Sequence, residues 1–384
     1  MSIEENEIYY KLANHLRKMP IDFPPTQSGI EIKILQHYFT PQEAAVALLL
    51  GVLPEPLKVI SNRLKGACMT ISQEELEQIL DRMVQKGSIA GGAMYADRGK
   101  GKYYGNLHLA VGMHEFHVDK QTKEYVEDLE QYMTEEFFKA FHNKEVPQMR
   151  TIPVEKSIET ERYISSYNAI RKIIETIEGP IAVLNCVCKQ GMDLLDQPCK
   201  QTNLREVCIA FGNGALHLKN ELGVGRFISK EEVFELLDKF EEDGLVLQPE
   251  NSKNPSFICA CCKCCCGVLR SVKLLDRPAD YLAVNYYAVV DIKLCKGCKT
   301  CLKRCQMDAI TIEEGKASVN LDICIGCGLC VVKCPTKAIQ LTKKAKQKIP
   351  PKNMLDKYRK ILIRRRGVLG TIKLAFDLLL GRRI

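Results

Sequence analysis

The chain predicts an α+β protein of several domains, and three observations carry that prediction. The first 180 residues repeat apolar side chains at helical spacing and include one alternating stretch. The middle hundred residues mix strand-like segments with ten cysteines, and residues 293–335 hold two cysteine runs of the same spacing. At 384 residues and 46% hydrophobic content the chain can bury more than one core.

Residues 1–29 read as an N-terminal arm: a helical pattern around Tyr9, Leu12, Leu16 and Met19, broken by PIDFPPTQSG. Residues 30–120 follow as a helical domain. IEIKILQHYF is its first helix, and Thr40 caps the next with Pro41 at the first helical position. EPLKVISNRLKG ends at Gly66. Ser72 and Glu75 form a capping box ahead of Leu76, Ile79, Leu80 and Met83, and Gly87 closes that helix. Then comes KYYGNLHLAVGMHEFHV, which reads as strand, with RGKGK as its connecting loop.

Helices followed by a two-stranded ribbon with a basic tip is the order of a winged-helix-like domain. The charges argue against DNA as its partner. A recognition helix needs basic or amide side chains, whereas Ser72–Lys86 carries Glu74, Glu75, Glu77 and Asp81 against Arg82 and Lys86. Arg98, Lys100 and Lys102 in the wing are the suitable cations. His114 and His117 sit three apart on the expected strand, on opposite sides, and so make a poor metal pair.

Residues 121–180 form a helical connector, YVEDLEQYMTEEFFKAFH and SYNAIRKIIETIEG, with VPQMRTIPVEK between them. Residues 181–280 are the cysteine-rich α/β middle domain. Cys186, Cys188, Cys199 and Cys208 come first, then Cys259, Cys261, Cys262, Cys264, Cys265 and Cys266 in ICACCKCCCG. Ten cysteines exceed what one metal centre uses, and vicinal thiols without a ligand oxidise. At least one further iron-sulfur cluster is expected, with Cys186, Cys188, Cys199 and Cys208 as the first set and the later run as another donor. A zinc site, or a cluster built on adjacent cysteines, is the alternative. Between the groups, ISKEEVFELLDKFEEDGLVLQ echoes ISQEELEQILDRMVQKGSI at an offset of 157 residues.

Residues 281–342 contain two C-x-x-C-x-x-C-x-x-x-C runs at an offset of 29: Cys295, Cys298, Cys301, Cys305 and Cys324, Cys327, Cys330, Cys334. In such a run three thiolates of one loop hold one 4Fe-4S cluster and the fourth reaches the neighbouring cluster. Cys295, Cys298, Cys301 and Cys334 are therefore assigned to cluster 1, and Cys324, Cys327, Cys330 and Cys305 to cluster 2. Gly297, Gly326 and Gly328 are expected to let backbone N–H groups approach them. EEGK, with Gly315, is the turn of a hairpin. The two halves describe a bacterial two-cluster ferredoxin domain, with one departure: Gln306 stands where proline usually follows the fourth cysteine, whereas Pro335 is in place. Two structural zinc sites would want ligand pairs separated by a longer loop.

The net charge of +8 is a property of the tail. From Leu341 onward, fourteen Lys and Arg face Asp356 and Asp377. Residues 343–384 place Leu355, Tyr358, Leu362, Leu369, Ile372, Phe376 and Leu379 at helical spacing. Such a basic amphipathic tail can lie on an anionic membrane surface, dock on an acidic partner or pack on the protein itself. MSIEENEIYY is acidic and has no apolar core, so no secretory leader and a reducing cytoplasm are expected, with the tail allowing peripheral membrane contact.

Taken in order, PPTQSGIEIKILQHYFTPQEA, CVC with its downstream cysteines, CACCKCCCGVLR and the tandem run resemble a family of winged-helix plus tandem 4Fe-4S ferredoxin-domain iron-sulfur proteins of anaerobic bacteria and archaea. The resemblance spans residues 10–342 and implies electron transfer with a redox partner protein. A redox-sensing winged-helix regulator and an iron-sulfur subunit of an anaerobic oxidoreductase complex are the alternatives. No G-x-G-x-x-G after a strand and no P-loop is present, so the sequence shows no nucleotide seat.

Overall fold

Thr40 and Ser72 each open a helix by the chemistry their positions predict. Thr40 Oγ1 accepts from the Glu43 N–H, the Glu43 carboxylate accepts from the Thr40 N–H, and Pro41 begins the helix Pro41–Ala47. Ser72 and Glu75 repeat the exchange at the head of Gln73–Lys86, and Gly87, at φ 79°, ends that helix in the left-handed conformation. The later echo follows the same plan. Ser229 caps Lys230–Asp243, Gly244 takes φ 76°, and the strand Val246–Pro249 follows.

The computed structural model describes residues 3–66, 70–92, 95, 101–158 and 165–379, an α+β chain. It divides into two compact units. One comprises Met1–Phe141, Asn213–Arg226 and Tyr358–Ile384, and the other His142–Gly212 and Phe227–Lys357.

In the first unit the helix Ile3–Leu16 is part of the core: Tyr9, Leu12 and Leu16 are buried, and the Tyr9 hydroxyl donates to the Phe39 carbonyl at 2.8 Å. Three short strands, Glu55–Pro56, Tyr103–Asn106 and Ile89–Gly91, pair antiparallel with Tyr103–Asn106 in the centre. The stretch expected as one long strand stops at Asn106, whose amide donates to the Ala47 and Leu50 carbonyls, and an irregular segment leads into the helical turn His114–Phe116. His114 and His117 therefore sit on one turn, both beside the Tyr125 ring. Arg98 and Lys100 lie outside the described residues. Lys102 is engaged by Glu77 at 2.8 Å and Asp81 at 2.7 Å, so the acidic helix neutralises it.

The tail is helical over Met354–Leu379, with Gly367 at φ 71° breaking the regular geometry. Within the first unit, Arg365 donates to the Met19, Pro20 and Arg17 carbonyls and pairs with Asp22 at 2.7 Å. Leu369, Ile372 and Phe376 remain exposed. No described helix is long and apolar enough to cross a membrane.

The second unit is built on a sheet in which Ile181–Asn185, Glu206–Phe211, Phe257–Cys261 and Val246–Pro249 pair antiparallel in that spatial order, with Arg226–Ile228 on the outer edge. One face buries Val207, Ile209, Ile258 and Ala260 against Ile173, Val233 and Phe240. The C-terminal part carries two short antiparallel pairs. Ile310–Glu313 pairs with Lys316–Val319, and Tyr286–Val290 pairs with Ile339–Lys343. Glu314 and Gly315 both take positive φ in the first hairpin's turn, the pattern that matches the twist of paired strands.

Candidate metal centres

Short helices begin inside each cysteine run of the C-terminal part. Thr300–Arg304 carries Cys301, and Leu329–Val332 carries Cys330. Because each run continues past its helix into the other half's territory, the fourth cysteine changes sides. One cavity is lined by Cys295, Cys298, Cys301 and Cys334, and a second by Cys305, Cys324, Cys327 and Cys330. Their volumes, mouths included, are about 320 and 370 Å³. Gly297 lines the first, and Gly326 and Gly328 the second. Side chains are excluded there by backbone: a Cβ on Gly297 would collide with the Gly315 carbonyl oxygen, and one on Gly326 with that of Tyr286.

The donor set fits two cubane clusters. Each cavity has four sulfurs around open volume, and backbone N–H groups already point at sulfur. Ala317 N lies 3.4 Å from Cys295 Sγ, Ala309 N 3.2 Å from Cys305 Sγ, and Ala288 N 3.5 Å from Cys324 Sγ. Burial pushes the Cys327 thiol up to about 12 and the Cys330 and Cys324 thiols upward as well. Buried thiolates at these positions therefore need a cation to hold them. Cys298 is exposed, and the Thr300 hydroxyl and N–H hold it below the usual thiol range. Arg304 lines the second cavity and donates to the Glu241 and Glu242 carbonyls at 2.6 and 2.8 Å, at the end of the helix Lys230–Asp243.

In the middle of the chain the structure brings together a different set from the expected first one. Cys199, Cys262, Cys264 and Cys265 have sulfurs all within 4.8 Å of one another. Cys186 instead precedes the helix Val187–Leu194, Cys188 lies in that helix's first turn, and Cys208 lies within the strand Glu206–Phe211. The reason is local geometry. Cys208 stands opposite Cys259 in the sheet register, and alternation puts Cys261 on that same face. Cys259 touches both Cys208 and Cys261, and Cys261 touches Cys266. Cys262 falls on the opposite parity, so it and Cys265 join the apolar core face, where Cys199 and Cys264 also pack. Strand parity thereby separates Cys208, Cys259 and Cys261 from Cys262, which spacing along the chain does not reveal.

Two side chains at these centres carry no cysteine signal. Lys189 is buried, with Nζ 2.8 Å from Cys199 Sγ and 3.4 Å from Cys262 Sγ. Burial works against its charge, but the neighbouring sulfurs of Cys199, Cys262 and Cys186 outweigh that and raise its pKa. Gln306 is fully buried, and its departure from proline was the available clue. Its side chain bonds to the backbone of Lys263, inside the cysteine turn, and to Gln201.

None of the curated proteins matches the chain. Residues 294–339 match the family profile of a 4Fe-4S dicluster domain. Together with the clustered cysteines of the middle region, that match makes this an iron-sulfur protein with a ferredoxin domain in its C-terminal part.

Proposed function

We propose that the chain is an electron carrier whose ferredoxin domain holds two 4Fe-4S clusters. Cys295, Cys298, Cys301 and Cys334 are the ligands of one, and Cys324, Cys327, Cys330 and Cys305 those of the other. The observation that carries this reading is the exchange of the fourth cysteine between the two cavities. Bound clusters supply one-electron chemistry, and the chain's own contribution is burial, thiolate ligation and N–H donors to sulfur. A redox partner protein would meet the first site, where Cys298 is exposed beside exposed Ile292 and Leu294.

The test is Cys334→Ala in protein purified without oxygen. The variant should lose about half of the ferredoxin iron and sulfide and keep one reduced-cluster paramagnetic signal, that of the Cys324 loop. Full retention of both signals would defeat the ligand exchange.

We read residues 30–120 as a winged-helix-like unit that serves as a scaffold. The pairing of Lys102 with Glu77 and Asp81 speaks against DNA. A redox-sensing regulator would instead show salt-dependent duplex binding. The exposed Leu369, Ile372 and Phe376 among basic residues support a surface role for the tail, on an anionic membrane or an acidic protein.

A further inference from the structure

We infer that Cys199, Cys262, Cys264 and Cys265 bind a single thiophilic metal ion in a tetrahedral site, not a cubane cluster. The separations between sulfurs decide the nuclearity. Cys199 Sγ lies 3.7 Å from both Cys262 Sγ and Cys264 Sγ, Cys262 and Cys264 are 3.5 Å apart, and Cys264 and Cys265 are 3.6 Å apart. One ion with metal–sulfur bonds of about 2.3 Å places its four sulfurs at the corners of a tetrahedron with edges of about 3.8 Å. A cubane sets irons and sulfides between its ligands and holds their sulfurs roughly 6 Å apart. The same chain provides the comparison. Each ferredoxin foursome lines an open cavity, whereas among the described residues the Cys199 foursome alone closes to within 4.8 Å.

The surrounding residues fit a small anionic centre. Cys262, Cys264 and Cys265 come from one turn, closed by the Cys266 N–H donating to the Cys262 carbonyl at 3.1 Å. Cys199 comes from the loop before the strand Glu206–Phe211, so one ion would staple that loop to the turn after the strand Phe257–Cys261. A divalent ion on four thiolates carries two net negative charges, which a dry site cannot hold unaided. Lys189, buried and bonded to two of the four sulfurs, offsets one of them. A lysine buried against neutral thiols would have no such counter-charge.

The test is metal and acid-labile sulfide analysis of the full chain purified without oxygen, beside the variant C199A/C264A, which alters the two half-buried ligands. The wild type should contain about one metal ion per chain beyond the iron matched by sulfide, and the variant should lose that ion with its sulfide unchanged. X-ray absorption at the zinc edge should show four sulfur neighbours at about 2.3 Å if the ion is zinc. If it is iron, the oxidised wild type should show a high-spin ferric signal that the variant lacks. Loss from the variant of iron and sulfide in equal amounts would overturn the inference in favour of a cubane. A wild type with no metal beyond its sulfide-matched iron would overturn it in favour of free thiols. Both readouts are independent of the ferredoxin reading, because sulfide reports the cubanes and the excess ion reports this site.

Discussion

The Gln306 side-chain oxygen accepts from the Lys263 N–H at 2.9 Å, while its Nε2 donates to Gln201 Oε1 at 3.0 Å. One residue thus ties the ferredoxin loop ending at Cys305 to both segments that hold the middle cysteines, since Lys263 lies between Cys262 and Cys264 and Gln201 follows Cys199 by two. Proline at 306 would suit the ferredoxin turn and abolish both bonds. Gln306→Pro and Gln306→Leu should each destabilise the protein by about 1–3 kcal/mol, because the Lys263 N–H and the Gln201 side chain lose a buried partner. Urea unfolding under anaerobic conditions measures this. A midpoint unchanged in Gln306→Leu would mean that the amide bridge contributes nothing.

Arg304 brings a fixed positive charge to the wall of the Cys305, Cys324, Cys327 and Cys330 cavity, held there by the Glu241 and Glu242 carbonyls. A cation beside a cluster favours the reduced, more negative state. Arg304→Gln should therefore lower the potential of that cluster by an amount on the order of tens of millivolts and leave the other cluster unmoved. A paramagnetic-resonance redox titration resolves the two. Equal shifts in both clusters would contradict a local effect.

The legible parts of this chain are those fixed by local chemistry. The Thr40 and Ser72 caps, the Gly87 stop, the Glu314–Gly315 turn and the tandem cysteine runs depend on residues within a few positions of one another, so the sequence states them directly. The placement of each run's fourth cysteine on the wall of the other run's cavity was legible because internal symmetry at an offset of 29 residues encodes it. The middle cysteines were not legible, since their grouping depends on the sheet register at Cys208–Cys259 and on the long-range packing of the Cys199 loop against the turn after the strand Phe257–Cys261. The strand expected through His117 failed for a related reason: the Asn106 side chain bonds to distant carbonyls and ends the strand early. Lys189 lies in an ordinary amphipathic helix, and nothing in its neighbours along the chain announces a buried charge.

Lys357 and Glu250 form an ion pair at 2.9 Å in which both side chains are almost wholly shielded from water. The other Glu250 oxygen accepts from the Ser256 N–H and hydroxyl at 3.0 and 2.7 Å, so both carboxylate oxygens are engaged. Lys357→Met strands that charge and should cost about 3–5 kcal/mol. The double variant K357M/E250Q should recover much of the loss, because a neutral amide keeps donors and acceptors without the unpaired charge. Denaturant unfolding of the three variants gives the coupling directly, and additive losses would show that the pair does not act as a unit.

His142 sets a pH limit on the second unit. Its Nε2 lies 2.8 Å from Ser271 Oγ, and burial lowers its pKa to about 3. The folded state therefore resists protonation, whereas the unfolded chain takes up a proton near its ordinary pKa of about 6.5. Below that value the unfolded state binds more protons, so stability falls as pH drops from about 6.5 towards 3 and is fully present above it. From pH 7.5 to 5.5 this one residue should remove about 1.4 kcal/mol. His142→Asn can keep a hydrogen bond to Ser271 without titrating, and should flatten that part of the profile. Urea midpoints at the two pH values test it. An identical pH slope in the variant would assign the acid sensitivity to other groups.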